Sequence, residues 1–203
     1  MSDFKLYGIV DLGYVEPKDV ARVTADLVTG GVDLVQLRAK KLPIDQIVPL
    51  AEAMLPVTRA GQVPLVINDH PEIAAKLGAE GVHVGQDDQS VARARDVVGD
   101  ACFVGKSTHS LSQAEAAVEE GADYIGFGPL FATGTKPDYV PIGLDDISEV
   151  HRRVQVPIFC IGGVNPQRLD QILAAGARRV VIVSAFLQAA DIASEVRAVK
   201  ARL

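Results

Sequence analysis

Polar residues and glycines able to bind a charged ligand or its counter-ion recur along this chain, each at or just beyond the end of a short apolar run. In order they are Asp11; Gln36, Arg38 and Lys40 in 36-QLRAK-40; Asn68 and Asp69 in 66-VIND-69; and Gln86, Asp87 and Asp88 in 83-HVGQDD-88. Ser107, Thr108 and His109 follow in 105-GKSTH-109, then Thr133, Thr135 and Lys136 in 132-ATGTK-136, Gly162 and Gly163, and finally Ser184. Arg38, Lys40 and Lys136 carry positive charge, and Asn68 and Ser107 are neutral donors. That set suits a highly charged anion better than a monophosphate. Asp69 and Asp88 would repel such an anion unless a hard divalent cation sat between, the usual arrangement when carboxylates and phosphate oxygens share Mg2+. A magnesium diphosphate is the ligand these residue types point to. A second anion site is expected where the glycines of 161-IGGVN-165 expose bare N–H groups and Ser184 opens a short helix. Two such sites imply two phosphorylated substrates. Singly, an Asn-Asp pair reads as a cap and a Gly-Gly pair as a tight turn; the joint placement carries the argument.

That placement depends on the elements between. Eight short apolar runs read as strands buried on both faces: 6–11, 34–38, 64–69, 81–85, 102–107, 124–128, 157–163 and 180–184. Helical patterns over 17–30, 43–61, 70–78, 90–99, 112–121, 145–153, 166–176 and 190–203 separate or follow them. Pro49 and Pro56 are expected to kink or divide the second of these. Gly31, Gly78, Gly121 and Gly176 each end a helical pattern just before a strand, at the position where a left-handed turn favours glycine. Eight βα units in 203 residues predict an α/β fold, a (β/α)8 TIM barrel, occupying 1–203 as one catalytic domain. An open doubly wound sheet is the alternative, but no G-x-G-x-x-G follows the first strand. In a barrel the site lies at the C-terminal strand ends, where every residue named above falls.

Composition narrows the function. With 48% apolar residues the chain can build a sizeable core, and a formal charge of −6 argues against general nucleic-acid binding. No run approaches the ~18 apolar residues of a membrane span. The N-terminus shows no signal-peptide pattern, so the cytoplasm is the simplest expected compartment. Cys102 and Cys160 lie in apolar runs and are expected as buried free thiols. Small-molecule substrates are the expected partners, and a homo-oligomer is compatible with the sequence.

Together, QLRAK, IND, GVHVGQDD, GKSTHS, DYIGFGPLFATGTK, IGGV and VSA resemble the thiamine-phosphate synthase (thiamine-phosphate pyrophosphorylase) family, in the right order from Leu6 to about Ala185. The resemblance implies a TIM barrel that joins hydroxymethylpyrimidine diphosphate to a thiazole phosphate or its carboxylate. Diphosphate would leave by a dissociative substitution, giving thiamine phosphate. It implies that Gln36, Leu37, Arg38, Ala39, Lys40, Asn68, Ser107 and Lys136 hold the pyrimidine diphosphate. Arg38, Lys40, Lys136 and Ser107 would be catalytic. Asp69 and Asp88 would hold Mg2+. Thr133, Gly134, Thr135, Gly163, Val183 and Ser184 would hold the thiazole phosphate, with the segment from Pro137 onward as a cover. The first strand ends GIVD where Val-Thr-Asp is expected, so Asp11 has no assigned role. Lys106 stands where many relatives carry a non-basic residue; it either adds to the diphosphate pocket or faces solvent, the second being the favoured reading. Asp87 reads as a surface or outer acid, and His83 as a packed residue rather than a ligand. A thiazole tautomerase of the same fold is the nearest rival, but it has no need of the full diphosphate and Mg2+ set. A sugar-phosphate isomerase or aldolase would require a mid-strand Schiff-base lysine or acid/base pair. A regulatory barrel would lack one of the metal carboxylates.

Overall fold

The structure, a computed structural model, describes residues 1, 3–134 and 139–203. Its strands are β1 (Leu6–Asp11), β2 (Leu34–Arg38), β3 (Leu65–Asn68), β4 (Gly81–Val84), β5 (Phe103–Thr108), β6 (Tyr124–Phe127), β7 (Ile158–Cys160) and β8 (Val180–Ile182). All neighbours pair in parallel, and β8 returns to β1 to close the barrel in sequence order. The expected (β/α)8 architecture is what the chain adopts.

Period-two alternation divides the strand residues between two cores. Tyr7, Ile9, Leu34, Val66, Tyr124, Phe159 and Val181 fill the barrel interior. The alternate positions, among them Leu6, Val10, Val35, Leu37, Ile67 and Ile182, pack outward against the helices. Two interior positions are glycine because neighbouring rings take the space. A Cβ on Gly81 would lie 2.1 Å from the Phe103 ring, and one on Gly105 would lie 2.1 Å from Tyr124. Aromatic rings from one strand thus fill the hollow left by the next, and the barrel is a packed core below its mouth.

The helices are α1 (Val20–Gly30), α2 (Ile44–Ala60), α3 (Pro71–Leu77), α4 (Val91–Val98), α5 (Leu111–Glu119), α6 (Ile147–Arg153), α7 (Leu169–Ala174), α8 (Ser184–Leu187) and α9 (Ile192–Lys200), with a 3-10 turn at Pro17–Asp19 before α1. Gly31, Gly78, Gly121 and Gly176 all have positive φ, as their positions after helical patterns predict. Of the expected kink or division of the second helical segment, the division does not occur: α2 is assigned as one helix through Pro49 and Pro56. The carbonyls that lose their donors belong to Asp45 and Glu52, both exposed, so water can replace the missing N–H groups. Cys102 and Cys160 are buried free thiols, and burial pushes Cys160 up to about 12, which leaves it inert. No helix among the described residues is long and apolar enough to cross a membrane.

At the N-terminal end of the barrel, His151 on α6 is half-buried beside Arg178 and Arg179. Burial and the two guanidiniums push its imidazole down to about 4. The unfolded chain therefore binds more protons than the folded one between about pH 4 and the ordinary histidine value near 6.5. Stability from this group is intact above about pH 6.5 and lost as pH falls through that window. Relative to His151→Gln, the parent should lose on the order of 1–2 kcal/mol between pH 7 and about 4.5, allowing for partial exposure. Urea unfolding of both proteins at the two pH values measures the difference.

Candidate active site

One cavity opens at the C-terminal ends of the strands. Gln36, Arg38, Asn68, Ser107, Thr133, Gly163, Val183 and Ser184 line it together, as do His83, His109 and Gly162. Its floor is the upper layer of the barrel interior, with Tyr7, Ile9, Tyr124, Phe159, Ile161 and Val181.

A buried hydrogen-bond chain runs through that floor. Gln36 Nε2 donates to Tyr7 Oη at 2.5 Å, Tyr7 and Tyr124 hydroxyls meet at 3.2 Å, Tyr124 Oη meets His83 Nδ1 at 3.0 Å, and His83 Nε2 meets Ser107 Oγ at 2.9 Å. The chain joins the amide of Gln36 on β2 to the Ser107 hydroxyl on β5, and each phenol can donate one proton and accept at its oxygen. Burial pushes both phenols up, so they stay protonated.

Charge enters only at the rim. Asp11, buried at the end of β1, is in register with Arg38 on β2. Its Oδ2 accepts from Arg38 Nη1 at 2.6 Å while Oδ1 accepts the Gly13 N–H at 2.9 Å. Lys40 bridges two acids: its ammonium lies 2.9 Å from Asp69 and 3.6 Å from Asp88. Asp69 adopts φ 65, a strained conformation for a non-glycine residue. Its Oδ1 is buried with no donor. Burial and the nearby Asp88 push the Asp69 carboxyl up. Burial also works against Asp88, but Asp69, the Gly85 N–H and Lys40 together hold it below its ordinary value. Two converging carboxylates, one with a donorless buried oxygen and both sharing one half-exposed ammonium, form a donor set that fits a hard divalent cation. Among the described residues no cluster of three or more metal-ligating side chains exists, so such an ion would need oxygens from substrate or water.

Among its described residues, the opposite arc of the cavity is lined by no acid. Gly162 (φ 96) and Gly163 (φ 65) turn the chain after β7. A Cβ on Gly162 would meet Pro129 at 2.3 Å. The loop after β6 is clipped to this turn by Leu130 N–H to Ile161 O at 2.8 Å and Phe131 N–H to Gly162 O at 3.0 Å. Arg168 braces the junction, donating to Gly163 O at 2.8 Å with its guanidinium 4.4 Å above the Phe131 ring. Thr133 thereby faces the cavity across from Ser184, the first residue of the short helix α8. Thr135, Lys136 and the first part of the expected cover lie outside the described residues, while Gly134 sits exposed beside the Tyr14 hydroxyl.

Some expectations need correction. Lys106 does not face solvent: it is 6% exposed, and its ammonium donates to Gly85 O at 2.9 Å. Alternation held the clue, because Phe103, Gly105 and Ser107 point inward and Lys106 must therefore enter the helix layer. His83 is more than packing, since it links the relay to Ser107. Leu37 and Ala39 turn their side chains into the outer core, so only their backbone could reach a ligand. His109 is held at the cavity edge by the Gly128 carbonyl. Asp87 is exposed, as expected. Tyr7, Tyr124 and Arg168 escaped the sequence reading, and Asp11 was named there without a role. Inward strand parity marks Asp11, Tyr7 and Tyr124, and nothing local marks Arg168.

Comparison with known proteins places this geometry. The family described as thiamine monophosphate synthase matches residues 6–186. A thiamine-phosphate synthase of Chloroflexus aurantiacus is 40% identical over 200 residues, covering 98% of this chain and 92% of that one. The Halalkalibacterium halodurans thiamine-phosphate synthase is 36% identical over 193 residues, 95% of this chain and 92% of its own. Among solved structures, thiamine phosphate pyrophosphorylase from Pyrococcus furiosus superposes with a TM-score of 0.89 at 26% identity, covering 98% of this chain and 94% of that one.

The Asp11–Arg38 pair should be energetically coupled. Asp11→Asn should destabilise the protein by about 1–3 kcal/mol, because it leaves a poorly solvated guanidinium without its counter-charge. A double-mutant cycle with Arg38→Gln, read by urea unfolding, should show a coupling of about 1 kcal/mol or more.

Proposed function

This chain belongs to the thiamine monophosphate synthase family, and on that premise we propose that it joins hydroxymethylpyrimidine diphosphate to a thiazole phosphate, or its carboxylate, releasing diphosphate and forming thiamine phosphate. The observation that carries the substrate assignment is the charge balance at the rim. Arg38 is matched by Asp11, and Lys40 is shared between Asp69 and Asp88, so the described groups on this arc sum to a small negative charge. A diphosphate would be repelled there unless it arrived with a cation. Asp69 and Asp88 would hold Mg2+, and Lys40, half-exposed and joined only by ion pairs, is free to swing to the phosphates. Bound Mg2+ would supply the missing counter-charge and Lewis-acid stabilisation of the departing diphosphate.

The chain's own groups do the rest. Arg38, aimed by Asp11, presents its remaining N–H groups to the diphosphate, with Asn68 and the Ser107 hydroxyl beside it. Lys136 would complete this set. Across the mouth, the Gly163 and Ser184 amides with Thr133 hold the thiazole phosphate, and Thr135 would join them. The carbon–oxygen bond to diphosphate breaks with its electron pair leaving on oxygen. The pyrimidine ring carries the resulting methylene cation, and the thiazole nitrogen lone pair forms the new carbon–nitrogen bond. The floor suits such a cation: Ile9, Phe159, Ile161 and Val181 exclude water, and the protonated phenols of Tyr7 and Tyr124 offer it no phenolate nucleophile. Positioning and electrostatics account for the catalysis, with no covalent enzyme intermediate.

Mixing the protein with Mg2+, hydroxymethylpyrimidine diphosphate and the thiazole phosphate should yield thiamine phosphate; absence of product above background would sink the reading. A tautomerase would instead isomerise the thiazole carboxylate without Mg2+ or diphosphate. Asp69→Ala should lower turnover at least about 100-fold while far-ultraviolet circular dichroism stays that of the parent. Should the variant unfold instead, the Asp69 carboxylate is structural.

A further inference from the structure

Strand β4 stops at Val84 while its neighbour β5 continues to Thr108, so the backbone ladder between them ends at the Val84–Lys106 pair. Two side chains take over where the ladder ends. The Lys106 ammonium donates to Gly85 O at 2.9 Å, and Gln86 Nε2 donates to the carbonyl of Ser107. One bond runs from β5 to the loop and the other from the loop to β5, so residues 85 and 86 are stapled from both sides.

The stapled residue is the one that holds Asp88. Gly85 N–H donates to Asp88 Oδ2 at 2.9 Å, and the carboxylate folds so closely over it that a Cβ at position 85 would lie 2.6 Å from that oxygen. Both backbone polar groups of Gly85 are therefore committed, the carbonyl to Lys106 and the amide to Asp88. Burying a lysine ammonium is costly, and helix-layer positions of this kind are ordinarily apolar. Here the charge goes to one carbonyl, three residues before a carboxylate that shares Lys40 with Asp69.

We propose that Lys106 and Gln86 are positioning residues that fix the Gly85–Asp88 loop and thereby set the affinity of the Asp69–Asp88 pair for a divalent cation. This rests on the reading of that pair as a cation site. Neither residue touches the ion; each acts through Gly85. Removing a group that orients a ligating side chain lowers metal affinity by roughly 10–100-fold.

The test is Mn2+ binding by calorimetry or electron paramagnetic resonance, with inorganic diphosphate present, for the parent, Lys106→Met and Gln86→Met. Both variants should bind Mn2+ about tenfold more weakly. Their turnover should recover with excess Mg2+, while KM for the thiazole phosphate, anchored on the opposite arc, should not move. A purely structural role would lower the melting temperature and leave the Mn2+ titration unchanged. Gln86→Met removes no buried charge, so it keeps the test open if Lys106→Met fails to fold. Parent-like Mn2+ affinity in the folded variants overturns the proposal alone. Failure of the parent itself to bind Mn2+ overturns the cation reading, and this proposal with it.

Discussion

Tyr124 lies across Gly105 in the middle of the barrel, its ring in the space any larger residue at position 105 would need. The rest of the site is arranged around that ring. Tyr7 and Phe159 pack on it edge-to-face at 6.2 and 5.7 Å, which fills the hollow of a closed eight-stranded sheet. Its hydroxyl cannot reach water, so it must be satisfied from within, and the partners are Tyr7 and His83. Packing thus dictates a polar relay, and the relay ends on a hydroxyl, Ser107, at the cavity.

Above this floor, the charges are organised as pairs. Asp11 spends its charge on aiming Arg38, and Lys40 holds two carboxylates that would otherwise repel each other. The rim is close to balanced while empty. On the proposed reading, an anion there would need an added cation, a physical reason to prefer a metal–diphosphate over a bare phosphate. The other arc offers glycine backbone and a short helix start, with Arg168 behind them bonded to the Gly163 carbonyl rather than lining the cavity. On the proposed reading, the two arcs would suit ligands of different charge, so that two phosphorylated substrates would not exchange places.

Both arcs are held by contacts outside the cavity. The loop after β6 is clipped to the β7 turn by backbone bonds and braced by Arg168, and the loop after β4 is gripped from β5 by Lys106 and Gln86. Loop positions here are set by bonds to strand ends, so the precision of a strand is passed on to residues that lie beyond it.

How much of this was legible follows from the range of the interactions. Strand runs buried on both faces, glycines ending helices and polar residues clustered after the strands are local patterns. The sequence by itself thus determined the barrel and the strand ends beyond or at which Arg38, Asn68, Asp69, Asp88, Ser107 and Ser184 stand. Pro49 and Pro56 misled because their cost depends on whether water can reach the freed carbonyls, which is a property of the packed helix. Asp11 and Arg38 are 27 residues apart, and Tyr7 and Tyr124 are 117 apart. Only closure of the barrel brings such pairs within hydrogen-bond reach. Tertiary structure alone therefore decided which charges are already matched and which polar groups the buried relay joins, because each depends on what stands opposite a residue in space.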